Sequence, residues 1–302
     1  MITVFGSLNA DLVCPVEHLP APGETVTGPG YSVVPGGKGA NQALAAALAG
    51  APVRFVGAVG RDGFREPALS SLKTGGVDLS ALADSDRQTA CAFIGVDPKG
   101  ENQIIVASGA NLDARAAQLE GLSLGAGDLL LLQMEVTPAE NWRAVEIAKA
   151  AGARVVLNLA PAGVVPPPVL QQVDVLIVNE TEASQLAAQL GLPETAPEQI
   201  AARLAADFVR CCIVTLGAAG VAAFGTGGTH RLPALAVEVV DTTAAGDAFV
   251  GGFAAALHRG APMDAALAQG IVAGGLACRK LGAQSSLPTA AEIAETLTRY
   301  RA

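Results

Sequence analysis

Short, uninterrupted apolar strands alternate with helical stretches along most of this 302-residue sequence, and this alternation constrains the fold more than any other feature. Strands that are apolar throughout are buried on both faces, which is typical of a parallel sheet covered by helices on either side. The apolar runs are Ile2–Gly6, Val53–Val59, Leu129–Leu132, Val155–Leu157, Val175–Val178 and Ile213–Thr215. The helical stretches include Gln42–Ala49, Pro138–Ala150, Ala245–Arg259, Met263–Leu281 and Ala290–Tyr300. The sequence therefore predicts an α/β fold with a mainly parallel sheet.

Polar residues follow several of these strands. Ligands of parallel α/β sheets bind beyond the carboxyl ends of the strands, so these positions are the first candidates for a functional site. They are Asn9, Asp11, Glu135, Asn158, Asn179, Glu182 and Gly217.

Two segments interrupt the alternation of strands and helices. Leu12–Pro35 is rich in Pro, Gly, Val and Thr, and Ala90–Ala107 is typical of a hairpin with Asp97–Gly100 as its turn. Both could also be ordinary surface loops. We expect a single domain over residues 1–302, in which segments at about 12–35 and 90–107 form a small β-sheet lid.

The composition disfavours several classes of function. The net charge of −9 disfavours binding to nucleic acid or to an anionic membrane, because both need a basic surface on the protein. The five cysteines show no CxxC spacing and the three histidines lie far apart, so we expect reduced thiols and no zinc site. With no apolar run of about 18 residues and no signal peptide, a cytoplasmic protein is the expectation.

The motif with the most specific chemistry, DTTAAGD from Asp241 to Asp247, lies between an expected strand at Ala236–Val240 and a helix. Thr and Asp at such a junction can simply cap the helix. The small residues Ala244–Gly246 also leave backbone N–H groups uncovered at the positive end of the helix, which suits a polyphosphate. Asp247 lies one turn into the helix, where a carboxylate can accept a hydroxyl proton.

A second motif, PGGKGANQ from Pro35 to Gln42, opens the Ala-rich helix. Its glycines allow a ligand to approach the backbone closely, Lys38 adds a cation, and Asn41 can bond to hydroxyls. It is not a Walker A loop, because Gly39 follows Lys38 where Ser or Thr should hold magnesium. The segment Gly6–Asp11 likewise lacks the second and third glycines of a dinucleotide-binding fingerprint. A glycine-rich stretch of this kind could also be only the start of a helix.

Two further segments supply groups for a nucleotide and its metal. Asn179–Glu182 offers carboxylates beside a strand end, where a hydrated magnesium ion could bind, although Thr181 and Glu182 are also ordinary first-turn residues. Thr215–Gly220 provides open backbone for a nucleotide, or only a turn.

Taken in order along the chain, these motifs resemble those of the ribokinase-like (PfkB) carbohydrate kinase family over almost the whole sequence. The matching segments are Gly6–Asp11, Pro35–Asn41, Asn179–Glu182, Thr215–Gly217, Asp241–Asp247 and Gly282–Ser286. The resemblance implies a three-layer α/β/α sandwich with a β-sheet lid, and transfer of phosphate from ATP to a sugar hydroxyl. Within the family, Gly36–Gln42 and Asn179–Ala183 are similar to the branch acting on ribose rather than those acting on fructose or adenosine. This implies phosphorylation of D-ribose at its 5-hydroxyl.

The resemblance also implies roles for individual residues, with Asp247 as the catalytic base and a substrate contact. The other sugar-binding residues would be Asn9, Asp11, Gly37, Lys38, Asn41 and Glu135. The anion hole would consist of Ala244, Ala245 and Gly246, and ATP would contact Asn179, Thr215, Gly217, Gly220 and Gly246. Glu182 would organise magnesium through water, and potassium would be bound, largely by backbone carbonyls, at Asp241, Thr243, Lys280, Gly282 and Ser286.

Two residues depart from the family pattern: Ile271 stands where relatives often carry a polar residue near the adenine, and Arg65 stands where many have Gly. The alternatives are a kinase of the same family acting on another sugar, a sugar acid or a nucleoside, and a non-catalytic sugar sensor. The missing glycines disfavour an NAD-dependent reductase. Apolar lid strands such as Ala92–Val96 and Ile104–Val106 further predict a homodimer that packs through the lid.

Overall fold

The computed structural model describes residues 1–300. Its strands are β1 Ile2–Phe5, β2 Asn9–Pro15, β3 Ser32–Gly36, β4 Val53–Gly60, β5 Leu82–Ser85, β6 Ala90–Val96, β7 Asn102–Ala107, β8 Leu129–Leu132, β9 Arg154–Asn158, β10 Val175–Asn179, β11 Cys211–Thr215, β12 Val221–Gly225 and β13 Gly228–Leu232. Its α-helices are α1 Lys38–Leu48, α2 Arg65–Thr74, α3 Pro138–Ala150, α4 Pro167–Leu170, α5 Glu180–Leu190, α6 Pro197–Asp207, α7 Ala245–His258, α8 Met263–Ala277 and α9 Ala290–Tyr300. Within the described residues, no helix is both long enough and apolar enough to cross a membrane.

The main sheet has nine strands in the order β13-β12-β11-β10-β9-β8-β1-β4-β5. β1 pairs in parallel with β8 on one side and with β4 on the other. The pairs β11–β12 and β12–β13 at one edge are antiparallel, and the other neighbours are parallel. The expectation of a mainly parallel sheet is confirmed.

Successive residues of a strand enter two separate apolar cores. In β1, Val4 belongs to the core formed with α1, α2, α7, α8 and α9, whereas Phe5 belongs to the core formed with α3, α4, α5 and α6. In β8, Leu131 and Leu132 divide in the same way. Because a helical layer covers each face of the sheet, the strands need apolar side chains on both sides. The three-layer α/β/α sandwich is therefore confirmed.

A separate four-stranded sheet, in the order β3-β2-β6-β7, arises from the two segments that interrupt the alternation. β6 and β7 form the expected hairpin, in whose turn Asp97 Oδ1 accepts N–H bonds from Lys99 and Glu101 at 2.8 and 3.0 Å. β2 pairs with β6 in parallel, so the two segments join into one sheet. Large apolar side chains on this sheet remain exposed, among them Ile104 and Ile105, the latter to 72%.

Two local expectations are wrong. No strand forms at Ala236–Val240, because the N–H groups of Val240 and Asp241 donate to the carbonyl of Cys278, at 2.8 and 3.2 Å, and not to a neighbouring strand. α8 ends at Ala277 and does not continue to Leu281, because the N–H groups of Arg279 and Lys280 donate to the carbonyls three residues earlier, those of Leu276 and Ala277, both at 3.2 Å. The bonds from Val240 and Asp241 to Cys278 attach the end of α8 to the segment that leads into α7.

Candidate active site

A cavity of about 210 Å³ lies at the carboxyl ends of β9, β10 and β11. The last residues of these three strands, Asn158, Asn179 and Thr215, line it, as expected for the ligand site of a parallel sheet. Further lining comes from the starts of α1, α5 and α7 and from the loop before α7, through Lys38, Glu182, Thr242, Ala244, Gly246 and Asp247. Residues from four separate sequence motifs therefore meet in one place.

Asp247 lies in the first turn of α7 and is only 6% exposed. Two consecutive residues of α1 hold its carboxylate: Asn41 Nδ2 donates to Oδ2 at 2.9 Å and Gln42 Nε2 donates to Oδ1 at 2.8 Å. A buried carboxylate needs such donors, because an unpaired buried charge is strongly unfavourable. Each oxygen retains further acceptor capacity with which to accept a proton from a ligand hydroxyl.

Further amide side chains hold these two donors in place. Gln284 Nε2 donates to Asn41 Oδ1 at 3.0 Å, and Gln133 Nε2 donates to Gln42 Oε1 at 2.7 Å. Gln42 also donates to Asn158 Oδ1 at 2.8 Å. The side chains around Asp247 are thus hydrogen-bonded to one another without the help of a ligand.

The loop after β1 and the start of α1 lie in close contact. Gly37 has a φ of 88°, and a Cβ at this position would lie 3.0 Å from the amide nitrogen of Asn9, so both the backbone conformation and the contact require glycine. Glu135 accepts the hydroxyl of Ser7 at 2.6 Å and the N–H of Lys38 at 2.9 Å on the same oxygen. These contacts bring together four residues expected to bind the sugar, namely Asn9, Gly37, Lys38 and Glu135.

Asp11 and Asn9 lie on neighbouring positions of the same face of β2. The carboxylate of Asp11 packs against Gly36, where an added Cβ would lie only 2.0 Å away. Burial, with the negative charge of Glu135 as a second cause, raises the pKa of Asp11 to about 7. Its Oδ1 is buried without a hydrogen-bond partner among residues 1–300. Asn9 is better satisfied, because Asn111 Nδ2 donates to its Oδ1 at 2.8 Å.

The helix α7 begins at a strained residue. Ala244 has a φ of 58°, the only positive φ of a non-glycine residue in the described part of the chain. A side chain in this conformation costs about 1–2 kcal/mol, and such strain is often found at functional loops. The N–H of Ala245 closes a turn onto the carbonyl of Thr242 at 3.1 Å. The N–H groups of Gly246 and Asp247, in contrast, have no acceptor within residues 1–300.

Glu182 and Asn179 cap the start of α5 reciprocally. Asn179 Oδ1 accepts the N–H of Glu182, and Glu182 Oε2 accepts the N–H of Asn179, both at 2.8 Å. Burial raises the pKa of Glu182, although the bond from Asn179 and the charge of Lys38 act in the opposite direction. The capping interpretation and the cavity-lining position of Glu182 therefore coexist.

Asp241 links the loop before α7 to the loop after α8. Its Oδ1 accepts from the N–H and the hydroxyl of Thr243 at 2.8 and 2.6 Å, and its Oδ2 accepts from the N–H of Gly282 at 2.8 Å. Burial by itself would raise the pKa of Asp241, but these hydrogen bonds hold it below the ordinary value. Three of the residues expected at a potassium site are thus joined directly.

Other expected site residues lie outside the cavity lining. Gly220 has a φ of 97°, and a Cβ there would lie 2.1 Å from the carbonyl of Leu232, so packing against β13 already requires a glycine. Lys280 Nζ pairs with Glu292 at 2.9 Å. The expected residues that do not line the cavity are Asn9, Asp11, Gly37, Asn41, Glu135, Gly217, Gly220, Asp241, Thr243, Ala245, Lys280, Gly282 and Ser286.

The two residues that depart from the family pattern have structural partners. Ile271 is buried in α8 and belongs to the apolar core on the α1 and α7 side of the sheet. Arg65 begins α2 and donates to Asp84 at 2.7 Å, with a longer bond of 3.4 Å to the carbonyl of Gly60.

Comparisons with known proteins identify the family of the chain. The sequence profile of the pfkB family carbohydrate kinases matches residues 1–290. The chain belongs to this family. The curated ribokinase of Haemophilus influenzae strain Rd is 39% identical over 303 residues, which cover 98% of each chain. The crystal structure of Thermotoga maritima ribokinase matches with a TM-score of 0.91 at 35% identity over 99% of each chain. The structure of Arabidopsis thaliana ribokinase complexed with ribose and ATP matches with a TM-score of 0.87 at 31% identity over 98% of each chain.

For this pfkB-family carbohydrate kinase, sequence reasoning missed five residues that the structure places around the site. They are Ser7, Gln42, Asn111, Gln133 and Gln284, to which the motifs assigned no role. One signal was available for Gln133, since an amide directly follows the apolar run Leu129–Leu132 at a fully buried position.

Proposed function

We propose that this carbohydrate kinase transfers the γ-phosphate of ATP to the 5-hydroxyl of D-ribose. The observation that carries the proposal is the buried Asp247 carboxylate, which lines a cavity beside the uncovered N–H of Gly246. A non-catalytic sugar sensor needs neither a buried base nor free N–H groups beside it. The ribokinase names of full-length relatives, and the ribose and ATP in one related structure, support the choice of substrates.

In the proposed reaction, side chains of the first strands and of α1 hold the sugar. Hydroxyls of ribose bond to Asn9, Asp11, Asn41 and Glu135, with Gly37 giving close access to the backbone. Asp247 accepts the proton of the 5-hydroxyl while the 5-oxygen of ribose attacks the γ-phosphorus. The bond between that phosphorus and the bridging oxygen of ADP breaks, and ADP leaves. The N–H groups of Gly246 and Asp247, together with Lys38, stabilise the negative charge of the transferred group.

ATP binds along the ends of β10 and β11 in this proposal, with Asn179, Thr215, Gly217 and Gly220 on its path. Glu182 would hold magnesium through water, since it is a carboxylate at the cavity wall whose Oε2 alone is bonded within residues 1–300. Magnesium supplies charge neutralisation of the phosphates when bound.

Potassium would bind beside Asp241, where the loop carbonyls from Thr243 and from Gly282 to Ser286 would converge behind α7. The hydrogen bond from Gly282 to Asp241 supports this convergence. The remaining parts of the proposal are a homodimer formed through the exposed apolar lid and a location in the cytoplasm.

The test is ADP release with ATP across D-ribose, D-fructose, 2-keto-3-deoxygluconate and adenosine. We expect kcat/KM to be highest for ribose, because a site that bonds to hydroxyls discriminates against substrates that leave its polar groups unpaired. The analogue 5-deoxy-D-ribose serves as the matched control: it should compete with ribose but receive no phosphate. A nucleoside or a sugar acid as the best substrate would refute the assignment to ribose and leave the kinase class intact.

A further inference from the structure

Two chains of amide side chains converge on Asp247. In the first chain, Gln284 Nε2 donates to Asn41 Oδ1 at 3.0 Å and Asn41 Nδ2 donates to Asp247 Oδ2 at 2.9 Å. In the second, Gln133 Nε2 donates to Gln42 Oε1 at 2.7 Å and Gln42 Nε2 donates to Asp247 Oδ1 at 2.8 Å. Every amide in both chains therefore directs an N–H group towards the carboxylate.

The direction of the Gln42 amide is set by two groups that can only accept. One is the carboxylate of Asp247. The other is Asn158 Oδ1, whose own amide is oriented because Asn158 Nδ2 donates to the backbone carbonyl of Ile177 at 3.2 Å. Gln42 must present both of its N–H groups to these two acceptors, and its oxygen is left to face Gln133.

Each chain ends in a buried oxygen that lacks a donor. Gln133 Oε1 and Gln284 Oε1 have no hydrogen-bond partner among residues 1–300. Gln133 Oε1 packs against Gly6, where an added Cβ would lie 2.2 Å away. An unpartnered buried acceptor disfavours folding, so stability alone does not account for this arrangement. Holding N–H groups towards Asp247 does account for it, because a buried polar network enforces a single geometry.

We propose that Gln42 is a positioning residue for the catalytic base, which fixes the angle at which the Asp247 carboxylate meets the reacting hydroxyl. This inference rests on the proposed function of Asp247. Gln42 has no exposed surface and does not line the cavity, so its effect on the reaction must pass through Asp247. Asn41 differs in that we expect it to bond to the sugar as well. Loss of Gln42 should therefore lower kcat and leave the KM for sugar nearly unchanged.

The experiment compares Gln42→Met with Gln269→Met. Gln269 is another buried glutamine, which donates to the carbonyl of Gly252 at 2.8 Å and does not line the cavity. Both variants lose a buried amide of the same size, so both should show a lower Tm. Only Gln42→Met should lose kcat, by roughly 10- to 100-fold, the range expected for a misplaced reacting group. Equal kcat values in the two variants would overturn the positioning role.

Two further measurements test the positioning role of Gln42 if Gln42→Met does not fold or if ribose is not the substrate. Gln133→Met removes the donor to Gln42 without touching Asp247, and should lower kcat by less than Gln42→Met does. A kcat for Gln133→Met equal to that of Gln269→Met would also count against the inference. Crystal structures of Gln42→Met and Gln133→Met, where these proteins fold, should show a rotated Asp247 carboxylate, whichever sugar is phosphorylated. An unmoved carboxylate would overturn the inference, whereas absence of ribose phosphorylation by the wild type would overturn only the proposed substrate.

Discussion

The α1 side and the α7 side of the site around Asp247 are built in opposite ways. On the α1 side, the functional groups are buried side chains such as Asn41 and Gln42, which are already bonded to one another. On the α7 side, they are backbone N–H groups of an exposed, strained turn at Thr242–Gly246. Buried polar side chains need hydrogen-bond partners within the protein before a ligand binds, whereas exposed backbone N–H groups can bond to water until then. We therefore expect the first side to set sugar choice and turnover, and the second to set the handling of nucleotide and cations.

Asp247 belongs to both sides, so its substitution should give the largest effect. Asp247→Asn should lower kcat by at least ~10²–10⁴, the range for loss of a positioned base, with sugar and ATP affinities largely kept. If Asp247 only capped α7, the variant would lose about 1 kcal/mol of stability and little activity. Steady-state kinetics paired with thermal melting separates these outcomes. Glu180→Gln, at an exposed carboxylate in the first turn of α5, is the control for loss of a first-turn charge alone.

On the α1 side, Asp11→Asn should weaken ribose binding by about 10- to 100-fold, as expected for loss of a hydrogen bond to a charged group. Isothermal titration with ribose in the absence of ATP measures this. ATP affinity should not change, because Asp11 lies on the sugar side. Equal losses of affinity for ribose and for ATP would contradict the division of the site into a sugar side and a nucleotide side.

Asp11 also predicts a dependence of stability on pH. Its pKa of about 7 in the folded protein exceeds the ordinary value of 3.8, so the folded state retains a proton that the unfolded state releases. The contribution of Asp11 to stability is therefore present below the ordinary value and is lost as pH rises towards about 7. The Tm of Asp11→Asn relative to wild type should accordingly increase from pH 5 to pH 8. The exposed Asp207→Asn at the end of α6 is the control, and parallel Tm curves for both variants would contradict the prediction.

On the nucleotide side, Glu182→Gln should raise the magnesium concentration needed for half-maximal rate by several-fold. The stability of the Glu182→Gln protein should not fall, because glutamine can fill the same capping position. Burial also disfavours the ionised form of the wild-type carboxylate and raises its pKa. Magnesium titrations of the rate and melting curves at pH 8 measure both effects. Glu180→Gln, two residues earlier and exposed, is the matched control. Indistinguishable magnesium curves for the two variants would leave Glu182 only its capping role.

Potassium should raise the rate several-fold relative to tetramethylammonium at equal ionic strength. A cation beside Asp241 would fix the carbonyls of the loop before α7, and with them the direction of the N–H groups that face the phosphate. The KM for ATP and kcat should differ between the two salts, while the affinity for ribose should be the same in both. Equal rates in the two salts would remove the cation from the proposed site.

The lid should have the smallest effect on the chemistry. Ile105→Lys places a charge on the exposed apolar face of the small sheet, and should convert the expected dimer to a monomer at micromolar concentration, as measured by light scattering. Because β2 of this sheet carries Asn9 and Asp11, any kinetic change should be limited to the KM for ribose. Val164→Lys, at another exposed apolar residue, should leave the dimer intact. A wild-type mass of one chain would exclude the dimer.

The sequence predicted what is encoded in consecutive residues and missed what depends on distant contacts. The apolar strands, the hairpin β6–β7 and the motif around Asp247 can be recognised from neighbouring residues. Gln284 and Asn111 could not, because their partners Asn41 and Asn9 lie 243 and 102 residues away along the chain. The wrong strand at Ala236–Val240 has the same origin, since a carbonyl at the end of α8 takes the hydrogen bonds that a strand would need.

The order of strands in the main sheet has a consequence for how such enzymes diversify. Because β1 and β8 are neighbours in the sheet, the strands before β8 in the chain form one flank of the sheet and the strands after it form the other. Most residues proposed to recognise the acceptor come from the earlier stretch, and those proposed to manage the phosphate donor come from the later one. Mutations that retune the acceptor can therefore accumulate in one segment of the gene while selection preserves the other. The preferred acceptor can therefore change between lineages while the residues that bind the phosphate donor stay the same.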